Sequence, residues 1–301
     1  MPYRFKRNDK SVEAGVRRIA SEQAARMGRD LGDKALDPAE IAFRLRKRTK
    51  KLRALLRLIG PEFEGYDFEN AALRNAARRL GPLRDASAML ATLDALGADW
   101  PQDEIGALRR ALGAEETPEE ALAAKALVDE FGETLAGLVD RIAGWQLSEE
   151  GFEAIEEGLV DGYRQMRRGL KAVRLDSDEE ALHEWRKAVK THWLHLRLLQ
   201  ELAPQMTAPY REGTEGLAQI LGEHQNLAIL AARLEAPELV AAAGARLEDI
   251  LSRLAGRQHD LVERAMAIGK MLTAEKPKAL GQRLEHYWDD WHDGMGASAV
   301  N

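Results

Sequence analysis

The sequence contains no cysteine among its 301 residues. This absence excludes disulfides, thiolate nucleophiles and cysteine-ligated zinc, and it is compatible with a reducing compartment. The strand-type alternation of Val, Ile and Thr is also nearly absent, whereas helix-forming residues are abundant. Hydrophobic residues make up 45% of the chain, which is enough for a substantial core. We therefore expect an all-α fold.

Targeting and membrane signals are also missing from the sequence pattern. The first residues read MPYRFKR, and no apolar stretch follows them, so they do not resemble a secretory signal. No uninterrupted apolar run is long enough to cross a bilayer. These features predict a cytoplasmic protein with no membrane partner.

Helical periodicity and N-terminal capping residues recur along most of the chain. Asp37, Ser177 and Thr117 each stand three residues before a glutamate, which is the spacing of a capping box. Gly-Pro pairs at 60–61 and 81–82 are expected to end or break the helices that precede them. Together these signals predict roughly nine or ten helices.

One basic helix is present twice, at an offset of about 140 positions. Smaller matches at nearly the same offset relate Gly81 to Gly222 and Gly15 to Gly158. We therefore predict one domain over 1–301 with two helical halves, 1–145 and 146–301. Each half should form an antiparallel helical bundle, and the two bundles should be related by a pseudo-twofold axis. The repeated cations are Arg46, Lys47, Lys50 and Arg57, which match Arg186, Lys187, Lys190 and Arg197.

The first copy of this helix has no acidic residue between 44 and 57. On a helix Arg46, Lys50, Arg53 and Arg57 share one face, and in the second copy Trp193 takes the position of Arg53. Like charges one turn apart destabilise a helix by a few tenths of a kcal/mol per pair. An external anion would relieve that repulsion, although a solvated charged face is the simpler alternative. The net charge of −6 does not exclude an anionic ligand, because a ligand responds to the local charge distribution.

Further basic residues lie close to the two copies in sequence, whereas acidic residues concentrate elsewhere. This segregation predicts a basic interior with an acidic exterior. The additional candidate site residues are Arg74, Arg78, Arg84, Arg164, Arg167, Arg168 and Lys171.

Three segments of the sequence resemble the CHAD family, the conserved histidine α-helical domain. They are FRLRKRTKKLRALLRL at 43–58, HEWRKAVKTHWLHLRLL at 183–199 and LGEHQNLAIL at 221–230. The resemblance extends to positions around Arg18 and implies two pseudo-symmetric bundles with a central basic channel or groove. It also implies binding of inorganic polyphosphate and location at polyphosphate granules, and it does not imply catalysis by the domain itself. No cofactor is expected, and Arg18 is a further candidate site residue. The sequence departs from the family at Phe43, where a histidine is usual, and only His183 matches that histidine.

The histidines allow several interpretations. His183 lies on the basic face, where it could donate to phosphate, or it could pack against a neighbour near the helix start. His192 falls on the apolar stripe and is interpreted as a core histidine. A weaker alternative is a metal site shared by His192 and His195 with Glu223 or His224.

A non-catalytic polyphosphate-binding protein is the function that the sequence favours. Phosphate or sulfate ions could occupy the same site, and no specific nucleic acid is expected. One alternative is a metal-dependent hydrolase of polyphosphate or triphosphate, although no phosphate-binding loop, nucleophile elbow or paired-carboxylate motif is present. Another is an RNA-binding module in which Trp185 and Trp193 stack on bases, although tryptophan at helical spacing is more often part of a core.

Overall fold

The computed structural model describes residues 3–96, 102–112 and 118–298, and every regular element within these ranges is helical. The predicted all-α fold is therefore confirmed. Twelve α-helices are present in these ranges, so the predicted number was too low. None of the helices described has the length and the apolar character needed to span a membrane. The helices are α1 Val12–Gly32, α2 Pro38–Ile59, α3 Tyr66–Arg79, α4 Pro82–Leu96, α5 Gln102–Leu112, α6 Pro118–Ile142, α7 Glu153–Leu175, α8 Glu179–Leu198, α9 Pro204–Leu234, α10 Pro237–Ala243, α11 Leu247–Leu272 and α12 Pro277–Ser298, and two 3₁₀ turns lie at Gly60–Glu62 and Gly244–Arg246.

The N-terminal caps of the two basic helices, α2 and α8, differ from the prediction in one respect. Asp37 caps α2 as expected, because its Oδ1 accepts a hydrogen bond from the Glu40 amide at 2.7 Å. The cap of α8 is Asp178 and not Ser177: its Oδ1 accepts from the Ala181 amide at 2.6 Å. A carboxylate also interacts favourably with the positive end of the helix dipole, which a hydroxyl does not do. The predicted cap at Thr117 lies outside the described residues.

The apolar stripes predicted for α2 and α8 are both buried. In α2 the stripe contains Leu45, Thr49, Leu52, Leu56 and Ile59, and each is at most 1% exposed. Helix α2 contacts α1, α3, α4, α6, α7 and α8, so burial of this stripe places the helix at the centre of the fold. The corresponding stripe of α8 contains Trp185, Val189, His192, Leu196 and Leu199, all of them buried.

Glycines on one side of α7 allow α2 and α8 to approach its backbone closely. A Cβ atom at Gly158 would overlap the carbonyl oxygen of Leu58 at the end of α2. A Cβ at Gly162 would lie 2.8 Å from Nδ1 of His195 on α8. No side chain separates α7 from α2 at Gly158, and at Gly162 the His195 ring packs directly on the backbone of α7, so α7 fixes the position of both basic helices.

Helices from both halves of the chain contribute to each of two hydrophobic cores. The larger core is built mainly from α1, α2, α3, α6, α7 and α8. The smaller core joins α4 and α5 from the first half to α9, α10 and α11 from the second. Neither core is confined to one side of the predicted division between residues 145 and 146, so the two halves pack into each other.

Candidate functional site

The two basic helices are in contact, and their cations meet where they pack. Lys47 on α2 lies near enough to Lys190 on α8 for its charge to act on that ammonium group. In the same way Arg197 on α8 acts on Lys51 on α2. We call Lys47, Lys51, Arg186, Lys190 and Arg197 the basic cluster. The members on α2 are distant in sequence from those on α8, and the fold brings the two groups together.

The two half-buried lysines of the basic cluster have pKa values lowered first by burial and then by neighbouring cations. Burial, together with Arg186, Arg197 and Lys47, lowers the pKa of Lys190 to about 8, against an opposing effect of Glu215 on α9. Burial likewise lowers the pKa of Lys51 to about 8, together with Arg197, Lys47, Arg48 and Arg26. Both ammonium groups lack enough nearby negative charge. A bound polyanion would supply it.

The arginines on the other side of α2 are held by neutral oxygen atoms. Nη1 of Arg46 donates to the carbonyl oxygen of Ala77 on α3 at 2.6 Å. Nε of Arg53 donates to Oδ1 of Asn70 at 2.8 Å. Burial, Arg57 and Arg74 lower the pKa of Arg53 to about 10. A neutral acceptor fixes the guanidinium group of Arg53 without neutralising it, so Arg53 keeps its charge for an external anion.

Three predicted site residues line an open cavity of about 790 Å³ between α7, α8 and the end of α2. They are Arg57, Arg168 and Lys187. The cavity is mixed in charge, because the carboxylates that also line it include Glu184, which forms an ion pair with Lys187. The other two carboxylates are Glu157 and Asp161.

Three further predicted cations are engaged by protein groups. Arg18 donates to Asp9 at 2.7 Å and also pairs with Glu22 at 3.1 Å. Arg164 pairs with Asp161 at 3.2 Å. Arg167 donates to the carbonyl oxygen of Glu275. Carboxylates compensate the charges of Arg18 and Arg164, so these two residues are weaker candidates than the basic cluster.

The remaining predicted cations lie mostly at the surface. Arg74 and Arg78 on α3 and Lys171 on α7 are exposed, and so is Lys50 on α2. The prediction for Arg84 falls on a side chain that is not among those described. Exposed cations of this kind extend the positive surface away from the basic cluster.

His183 lies on the basic face of α8 and also contacts Gln225 on α9. The ring is half-buried, and its Nδ1 lies 2.5 Å from Oε1 of Gln225. When Nδ1 donates to this oxygen, Nε2 can donate to an anion only after the ring is protonated. Phe43, which occupies the matching position in α2, is 41% exposed. The two copies therefore differ at this position in both polarity and packing.

His192 and His195 are fully buried, which confirms the interpretation of His192 as a core residue. Nε2 of His192 lies 3.1 Å from the Tyr210 hydroxyl, and Nε2 of His195 donates to the carbonyl oxygen of Ala54 at 2.9 Å. Burial lowers their pKa values to about 3 and about 4, so both rings are neutral. The metal alternative is not supported: within the part of the chain that the structure describes, no three His, Asp or Glu side chains are grouped as metal ligands. Glu223 instead pairs with Arg257 at 2.7 Å.

Both tryptophans of α8 are buried, which argues against stacking on bases. Trp185 is fully buried, with its ring against Gly169 and Gly269. Trp193 is 7% exposed, yet its ring is close to two cations of the basic cluster. Nζ of Lys190 lies 3.8 Å from the ring centroid, and Cζ of Arg197 lies 5.0 Å from it.

Lys51 and Arg26 are members of this basic region that the sequence pattern did not single out. Lys51 is adjacent to the predicted face of α2, and the contact between α2 and α8 turns it toward Arg197. Arg26 lies on α1 and acts on Lys51. The absence of acids from the whole segment 44–57 was a signal for Lys51, whereas nothing in the sequence indicated Arg26.

Comparison with protein families gives one match. The family model described as CHAD domain matches residues 17–235, from within α1 to the end of α9. This range includes both basic helices and every residue of the basic cluster. A search of curated proteins found no match.

Proposed function

Because the chain belongs to the CHAD-domain family, we propose that it binds inorganic polyphosphate, without hydrolysing it, on the surface formed by α2 and α8. The observation that carries this proposal is the basic cluster, in which Lys47 and Lys51 of one helix face Lys190 and Arg197 of the other. Charges that repel one another in the free protein are stabilised by a ligand that carries a row of negative charges. Such binding would also bring the protein to polyphosphate granules.

The chemistry of polyphosphate fits this surface. Each unit carries about one negative charge and there are no bases to recognise, so affinity depends on the number and spacing of cations. Lysines offer point charges, and an arginine fixed by a neutral oxygen, such as Arg53, offers a planar donor to phosphate oxygens. Binding would release condensed counterions, so affinity should fall as salt is raised.

We further infer that the two basic helices are related by a pseudo-twofold axis. Contacts between α2 and α8, α4 and α9, and α5 and α10 join elements that hold similar places in the two halves. A Cβ atom added to Gly81 would lie 3.6 Å from Arg46. A Cβ atom added to Gly222, which matches Gly81 in the repeat, would lie 3.9 Å from Arg186, which matches Arg46. Two arginines beside two matching glycines support a common ancestral packing of this helix.

A direct titration tests the proposed function. Polyphosphate of defined chain length is added to the protein at two salt concentrations, and phosphate release is followed in parallel with magnesium or manganese present. We expect saturable binding that weakens at the higher salt, no release of phosphate, and displacement of bound RNA by polyphosphate at far lower concentration than the reverse. Absence of binding, metal-dependent release of phosphate, or tighter binding of RNA would each contradict the proposal.

Binding should also weaken as pH rises through 8. Lys51 and Lys190 have pKa values lowered to about 8, so both are largely charged at pH 7 and largely neutral at pH 9. A polyanion binds the charged forms, which raises both pKa values in the complex and makes binding take up protons. We expect affinity to fall by about tenfold for each lysine between pH 7 and pH 9. Calorimetry at constant ionic strength, in two buffers of different ionisation enthalpy, measures this proton uptake.

The matched variants are Lys51→Arg and Lys190→Arg, because arginine keeps its charge at pH 9. Each should remove the part of the pH dependence that its lysine causes. An affinity that is independent of pH in the unmodified protein would show that these lysines do not bind the ligand.

A further inference from the structure

The two copies of the basic helix differ most clearly at one position. Where α2 has Arg53, α8 has Trp193, and the ring of this tryptophan is nearly buried. Lys190 precedes it by one turn and Arg197 follows it by one turn, so both cations extend from the same helix face. Their distances of 3.8 Å and 5.0 Å from the ring centroid are those of cation–π contacts.

The ring changes the electrostatics of the α8 copy. In α2 burial, Arg57 and Arg74 destabilise the guanidinium of Arg53 and lower its pKa to about 10. In α8 the same position carries no charge, and the negative face of the indole attracts the cations on either side. The aromatic side chain thus holds two like charges close together without adding a third.

We propose that Trp193 is a positioning residue that holds Lys190 and Arg197 in place for polyphosphate. This inference rests on the proposed function and deepens it, because it identifies what organises the α8 half of the site. The indole holds the ammonium group of Lys190 at 3.8 Å from its ring centroid, so the position of this cation is fixed before the ligand binds. Cations held in this way lose less conformational freedom when the ligand binds.

The first test compares Trp193→Phe, which keeps an aromatic face, with Trp193→Leu, which removes it. Polyphosphate affinity should fall by about three- to tenfold in Trp193→Leu and change by less than about twofold in Trp193→Phe. The slope of affinity against salt should stay the same in both, since no charge is lost. Trp291→Leu on α12, a half-buried tryptophan outside the basic cluster, is the control and should bind normally.

A second measurement separates positioning from a structural role. The pKa of Lys190, followed by NMR, should fall further in Trp193→Leu than in Trp193→Phe, because loss of the ring destabilises the ammonium. Biosynthetic fluorination of the tryptophans weakens the negative face of the indole with little change in volume. It should lower affinity in the unmodified sequence and have no effect in the Trp193→Phe background, and this comparison does not require Trp193→Leu to fold.

The outcomes distinguish this inference from the function on which it rests. Failure of the unmodified protein to bind polyphosphate overturns the proposed function, whatever the Trp193 variants do. If the unmodified protein binds but a folded Trp193→Leu binds equally well, the positioning role of Trp193 is wrong. Equal effects of fluorination with and without Trp193 would overturn it in the same way.

Discussion

Replacing Lys47 and Lys50 together with glutamate should weaken polyphosphate binding by about a hundredfold, or about tenfold for each reversed charge. Each substitution removes an attraction and introduces a repulsion on the basic surface, at Lys47 in the basic cluster and at Lys50 on the exposed positive surface that extends from it. Both lysines are exposed, so the fold should tolerate the change. Arg46 is a poorer choice, because its guanidinium also holds the carbonyl oxygen of Ala77. The dissociation constant and its dependence on salt are the quantities to measure.

A control variant makes the same change in net charge elsewhere. Lys125 on α6 and Lys278 on α12 are exposed lysines outside the basic cluster, and both are replaced by glutamate. The site variant should lower the salt slope by about two, since about one counterion contact is lost per lysine, and the control should not. If both variants lose affinity equally, binding depends on the net charge of the protein and α2 is not its site.

Much of the fold follows from sequence periodicity and capping chemistry. The buried stripe from Leu45 to Ile59, the cap at Asp37 and the interruption at Gly81 are local consequences of side-chain spacing and backbone chemistry, and each was predicted correctly. The error at Ser177 has a local cause as well. Two adjacent residues could cap α8, and the repeat offset favoured the one that the structure does not use.

The site was less predictable, because helical spacing defines a face but does not identify its neighbours. Arg46 and Arg53 were predicted to share one face of α2, and both are anchored to α3. The cations of α2 that interact with those of α8 are Lys47 and Lys51, which lie outside that predicted face. Arg18 was counted as a site residue, but Asp9 neutralises it through a contact that only the folded chain makes. The position of an acid relative to a cation is a tertiary property.

Trp193 shows what the sequence predicts about a site residue and what only the structure reveals. The repeat placed Trp193 on the charged face of α8, whereas the general tendency of tryptophan at helical spacing favoured a core position, and the ring is buried. That the ring supports Lys190 and Arg197 depends on side-chain rotamers, which sequence spacing does not specify. The difference from Arg53 was visible in the repeat, but its physical meaning required the structure.

Acid should unfold this protein through its buried histidines. His192 and His195 have pKa values of about 3 and about 4 in the folded state, below the ordinary value near 6.5 that the unfolded chain restores. The unfolded state therefore binds more protons, and the stability contributed by the neutral rings is present above pH 6.5 and lost as pH falls toward 4. The free energy of unfolding should decrease by about 1.4 kcal/mol per pH unit for each histidine in this range. Denaturant titrations at pH values between 7 and 4 measure it.

Glutamine in place of either histidine removes the titrating ring and should make this pH dependence shallower, even where it lowers stability at neutral pH. His259 on α11 has a side chain that is 74% exposed, so His259→Gln should leave the pH dependence unchanged. Both buried rings are held by neutral oxygens, His192 by Tyr210 and His195 by Ala54, and neither contact offers a negative charge that would stabilise an imidazolium. An unfolding free energy that stays constant between pH 6.5 and 4 would mean that the interior accommodates the charged rings, and the neutral state assigned to them would be wrong.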